Sequence, residues 1–96
     1  MEIIAEVFPT GKIVMTKNVW NALSGDTVGL GELATCIIRH RSADFGNVDS
    51  EDWNANMRAV RDGERILSSY TIGGIEVWVI TNADRSVTTL LLPEDY

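Results

Sequence analysis

Two short runs hold most of the side chains that could do chemistry. RHRSADFG, residues 39–46, carries the only histidine of the chain, His40, set between Arg39 and Arg41 and followed by Ser42 and Asp44. NADRSVTT, residues 82–89, carries Asp84, Arg85, Ser86 and the Thr88–Thr89 pair. A free imidazole, with a pKa of about 6.5, can serve as general acid or base. Arginines such as Arg41 and Arg85 can stabilise a phosphate-like transition state. Ser42, Ser86 or Thr88 could position a substrate. Together these are the parts of a metal-free ribonuclease: His40 with Asp44 or Glu64 as the acid–base pair, Arg41 and Arg85 on phosphate, and Ser86 and Thr88 beside them.

The same residues have a plainer reading. Cations gather at helix C-termini because they complement the helix dipole, so His40 there need only bond a nearby carbonyl. An Asp in a tight turn bonds the amides beside it, which suits Asp84. Arg85 is expected to be held by a carboxylate from the Asp44 loop or by carbonyls near Ser42, since a guanidinium fork fits such partners. On this reading no residue is catalytic. Arg39, His40, Arg41, Ser42, Asp44, Asp84 and Arg85 belong to a binding surface, with Trp78 as a candidate interface anchor.

Other chemistries lack their residues. One cysteine, Cys36, and one histidine cannot build a zinc site. Asp49, Glu51 and Asp52 suit a helix N-terminus better than a metal. No phosphate-binding glycine loop and no nucleophile elbow is present, so no metal and no cofactor is expected.

Charge narrows the partners. Lys and Arg total 8 against 14 Asp and Glu, a net charge of -6. Nucleic-acid binders rely on neutralising phosphate, so direct nucleic-acid binding is not expected. A protein partner is, and a basic or nucleic-acid-binding surface would suit it; a homodimer stays open. No apolar run approaches the ~18 residues of a membrane span, and a lone Cys36 in an apolar pattern fits a cytoplasmic protein.

The elements that must position these residues fit one domain over residues 1–96. Glu2–Phe8 reads as a strand, and Pro9-Thr10-Gly11 as a turn into a short strand at Lys12–Met15, giving an N-terminal hairpin. Thr16 caps a short helix with Val19, Trp20 and Leu23 on one face. The next helix carries Leu30, Leu33, Ala34, Ile37 and Ile38 as its buried stripe. Asp49 or Ser50 caps a third, with Trp53, Met57 and Val60 inward and Gly63 ending it. Then come three strands, 65–72, 75–81 and 86–92, joined as a meander by Gly73-Gly74 and by Asn82-Ala83-Asp84. The helix at 30–38 should pack on Val77, Val79 and Leu91. The fold class is α+β: a small antiparallel sheet, made of the meander and the hairpin, with two to three helices on one face.

IIRHRSADFG, EDWNANMRAVRDGERILSSY and VWVITNADRSVTTLLLPEDY, within 13–96, resemble a family of small acidic bacterial proteins carried on plasmids and other mobile elements. Its pattern is R-H-x-S-G-D-W-G, then G-x-R-x-L-S-x-Y, then A-D-R-S-x-T-T-x-L-L-P. Members have Gly and Trp where this chain has Ala43 and Phe45, and Glu at Asn82. Acidity, small size, the absent motifs and the resemblance together favour an accessory protein that works by protein binding, in its sharpest form an anti-defence inhibitor of CRISPR or restriction machinery. The resemblance carries over no activity. A looser similarity, in layout only, is to ribonucleases of the barnase, colicin and RelE type.

Overall fold

The computed structural model describes residues 6–25 and 27–96. Its elements are β1 (Lys12–Met15), α1 (Lys17–Leu23), α2 (Thr27–Arg41), α3 (Ser50–Asp62), β2 (Ile66–Ile72), β3 (Ile75–Thr81) and β4 (Val87–Leu91), closed by a single 3₁₀ turn at Pro93–Asp95. The fold is α+β. β2, β3 and β4 form the expected antiparallel meander. Gly73 and Gly74 both have positive φ, the backbone that a two-residue hairpin turn demands.

Among the described residues β1 pairs with β4 alone. Most of the strand expected at 2–8 lies outside the described residues, and 6–8 are not strand. Phe8 is instead turned into the core, its ring edge-on to His40 at 5.2 Å. Gly11 brings the chain tight against the β3–β4 turn: a Cβ there would sit 2.3 Å from the Ser86 carbonyl. β1 therefore enters the sheet parallel to β4, and the order is β1-β4-β3-β2, a mixed sheet rather than an antiparallel one.

Register assigns the faces. Ile66, Ser68, Tyr70 and Ile72 on β2 lie beside Val77, Val79 and Thr81 on β3, and beside Thr88 and Leu90 on β4. All three helices pack on this face. Val19 and Leu23 of α1 and Leu33 and Cys36 of α2 join one cluster with Tyr70, Val77, Val79 and Leu90. Ala59 of α3 joins Phe8, Phe45 and Ile66 in a second. The caps are those expected: Thr16 accepts from the Val19 N–H, Asp49 from the Asp52 N–H, and Gly63 closes α3 at φ 73°.

The helix stripes are rotated from the sequence reading. On α2 the buried positions are Gly29, Leu33, Cys36 and His40, while Leu30, Ala34 and Ile38 face outward. A run with apolar residues on two sides offers two stripes, and the sheet took the one that Cys36 and His40 continue. Trp20 is 51% exposed and Met57 47%; Asn56 and Ala59 hold the inward positions of α3. Leu91 faces away from Val79, because Leu90 is the residue opposite Val79.

The sheet ends in two unlike edges. Along β2, Asn56 donates to the Leu67 carbonyl at 2.7 Å and accepts from the Leu67 N–H at 3.2 Å. Two residues on, the Ser69 N–H donates to Phe45 O and the Asn47 N–H to Ser69 O. Along β1, no strand pairs with the outer side among the described residues.

Candidate functional site

His40 reaches the core because it continues the buried stripe of α2, one turn beyond Cys36. It is fully buried. Nδ1 lies 2.6 Å from Ser68 Oγ and Nε2 lies 2.8 Å from Thr81 Oγ1. Thr81 Oγ1 is 2.7 Å from Thr88 Oγ1, which donates at 2.7 Å to the Thr10 carbonyl. A carbonyl cannot donate, and each hydroxyl has one proton. Thr88 spends its proton on Thr10, so it accepts from Thr81. Thr81 in turn accepts from His40 Nε2–H, and Nδ1 accepts from Ser68. His40 is thus the neutral Nε2–H tautomer. Burial, and then the charge of Arg85, push its pKa down to about 4, because an imidazolium would be stranded without water.

The other expected residues are engaged elsewhere. Arg39 holds Asp44 through two bonds, at 2.8 and 3.2 Å, and lies 4.8 Å over the Tyr70 ring. That contact holds the Asp44 carboxyl below its ordinary pKa, and the Gly46 N–H adds to the effect. Tyr70 OH donates to the Asp44 carbonyl. Ser42 Oγ donates back to Ile38 O. Arg41 is half-buried, and its Nε finds no partner among the described residues. Asp84 accepts from both the N–H and the hydroxyl of Ser86, which lowers its pKa.

Arg85 is held by carbonyls, as expected in kind, but not by those near Ser42. Nη1 donates to Glu64 O at 2.6 Å and Nη2 to Ala59 O at 2.9 Å. It therefore ties the β3–β4 turn to the C-terminal end of α3, where Ala59 O also accepts from the Gly63 and Glu64 N–H groups. The guanidinium also sits 5.6 Å from the Phe8 ring. Its own backbone is left-handed, at φ 62°.

The six residues of the nuclease arrangement do not share an open cleft. His40 and Thr88 are closed inside the core network. Ser86 serves the Asp84 turn and Asp44 serves Arg39. Of the binding set, His40 is inaccessible, and a partner could meet only its neighbours. Ser68, Thr81 and Thr10 were missed from the sequence. Their signal was there: Ser68, Thr81 and Thr88 occupy inward positions of otherwise apolar strands, and unexplained inward hydroxyls need a polar partner.

The opposite face of the sheet mixes apolar and polar side chains. By strand alternation it carries Leu67, Ser69 and Thr71 of β2, Glu76, Trp78 and Ile80 of β3, Val87, Thr89 and Leu91 of β4 and Lys12 and Val14 of β1. None of these joins the clusters that the helices cover. Tyr96 stacks edge-on to Trp78 at 5.6 Å, and Arg65 lies over the Tyr96 ring. Trp78 Nε1–H donates to Glu76, which also accepts from Ser69. Asp52 and Arg65 line a shallow hollow beside Leu67. The described residues hold no group of three or more metal-ligating side chains, and no helix among them is long and apolar enough to cross a membrane.

Compared with protein-family models, with curated proteins and with solved structures, the chain matches none.

Proposed function

We propose that this is an acidic accessory protein of mobile elements that acts in the cytoplasm by binding another protein, and that Trp78 anchors the contact. One observation carries the reading: on the sheet face opposite the helices, Leu67 and Trp78 stay half-exposed above buried Ile80 and Leu91, where a sheet facing water alternates to polar side chains. The four are neighbours in register, and Leu67 and Trp78 are the part that a partner could reach. Trp78 is the residue type that dominates such contacts. The carboxylates of Glu76 and Asp52 at the rim, and the net charge of -6, suit a basic, nucleic-acid-binding partner. An anti-defence inhibitor that occupies the nucleic-acid channel of a CRISPR or restriction complex is the sharpest form.

The test is plasmid transformation into cells carrying an active CRISPR or type I restriction system. Expression of the protein should restore transformation, and Trp78→Ala should abolish the effect while leaving the fold intact. No rescue against any system tried, or full rescue by Trp78→Ala, would refute the reading. The same protein should not cleave tRNA or single-stranded RNA at low salt, because His40 cannot meet a substrate.

A further inference from the structure

β1 is the one strand whose outer side meets no neighbour among the described residues. Its Lys12 N–H donates inward to Ser86 O and the Thr16 N–H to Leu90 O, both at 3.0 Å. Backbone groups alternate sides along a strand, so Ile13 and Met15 turn both their N–H and C=O groups outward. Their side chains are exposed as well, at 42% and 38%. An edge of this kind is a template for another strand.

We propose that this edge pairs with the same edge of a second copy, antiparallel about a two-fold axis at Val14, joining two four-stranded sheets into one. The register is fixed by the groups themselves. With Val14 facing its counterpart, Ile13 lies opposite Met15 of the second copy, and Met15 opposite its Ile13. All the outward N–H and C=O groups of both residues then find partners, with none left over. Any odd shift would set an outward pair against an inward one.

Charge agrees with that register. Lys12 comes to lie across from Thr16 of the second copy, on the same face of the joined sheet. Thr16 Oγ1 is bonded to the Asp95 carboxylate at 2.7 Å, and Asn18 holds the other oxygen at 2.6 Å. Each Lys12 thus approaches a fixed carboxylate of the other copy, twice over by symmetry, as in an isologous contact. Lys12 and Lys17 put two of the eight cationic side chains of an acidic chain on this edge. The proposal goes beyond partner binding and does not depend on it. Its effect would be to set two Trp78 faces side by side.

The experiment is oligomeric state and cross-linking of the full chain. Light scattering should give twice the chain mass, and amide exchange should protect Ile13 and Met15 like interior strand residues. In the proposed register the two Val14 Cα atoms are about 4.5 Å apart, within the roughly 4.4–6.8 Å span of a disulfide. Val14→Cys should therefore cross-link under mild oxidation, while a control cysteine at exposed Arg58 should not. Lys12→Glu, exposed and harmless to the fold, should weaken association roughly tenfold at low salt, less at high salt. A monomer with freely exchanging Ile13 and Met15 amides would overturn the proposal. So would a dimer that Val14→Cys does not cross-link. Either result leaves the Trp78→Ala test untouched.

Discussion

The two edges of this sheet solve one problem in opposite ways. Along β2 the outward backbone groups of Leu67 and Ser69 are each given a partner. Asn56 supplies a donor and an acceptor to Leu67, the 45–47 loop does the same for Ser69, and Asn47 adds a bond to Thr71. A side-chain amide and a loop here imitate a missing strand. Among the described residues β1 has no such imitation: it is short, it is exposed, and Lys12 is its only charge. The described residues thus close one edge with two elements and the other with none, which divides the sheet into a structural end and an available end. Damage at the first should cost stability; damage at the second should cost association.

The largest loss should come from Gly46→Ala, on the sealed side. Gly46 sits at φ 73°, and an added Cβ would lie 2.0 Å from Ser69 O and 2.7 Å from the Tyr70 ring. The loop would have to leave the strand it seals, at a cost of roughly 2–4 kcal/mol, measurable by urea denaturation. Between the edges, His40 should make stability fall in acid. Its folded pKa, about 4, is depressed from 6.5, so the unfolded chain binds the extra proton. The stability is fully present above the unfolded value and is lost as pH falls towards 4. The loss should approach about 3 kcal/mol, at ~1.36 kcal/mol per pKa unit. His40→Phe should flatten that part of the profile. Depressed carboxylates such as Asp44 and Asp95 add their own loss at lower pH.

Asn56→Ala should cost about 1–3 kcal/mol, because it strands the N–H and C=O of Leu67 together. If that variant unfolds at the same urea concentration as the wild type, the seal has no energetic content and the contrast between the edges collapses. Ile13→Thr should be the smallest, within about 0.5 kcal/mol for the dilute protein, since the side chain is already in water. A large loss there would mean that β1 holds the fold together and is not a spare edge.

Much of the architecture could be read from the chain. The meander followed from glycine turns and strand-length apolar runs, and the caps from Thr16, Asp49 and Gly63. What failed was the choice of face. α2 carries apolar residues on two sides, and periodicity alone cannot say which side a sheet will meet. The stripe through Cys36 and His40 is inward because inward hydroxyls from two strands wait for an imidazole. Leu91 went astray by one residue, which reverses a strand position. β1 is parallel for a reason no local signal holds: its neighbour arrives some seventy residues later, after three helices. Arg85 was legible as a clamp from its chemistry, but its partners lie on a helix end that only the tertiary fold brings near. Ala43, just after the α2 terminus, sits at φ 63°, a region that side chains disfavour, and no local signal in the sequence marks it.

The proton chain from Ser68 through His40, Thr81 and Thr88 to Thr10 runs in a single direction. His40, Thr81 and Thr88 each accept from one neighbour and donate to the next, so none of these three can be replaced alone without stranding its neighbours on both sides. A fully apolar set of the same volumes would also be self-consistent, but every intermediate between the two sets is worse than either. Sequences drifting away from this one therefore face a valley at these positions. Among descendants, residues 40, 68, 81 and 88 should be inherited as a block or exchanged as a block.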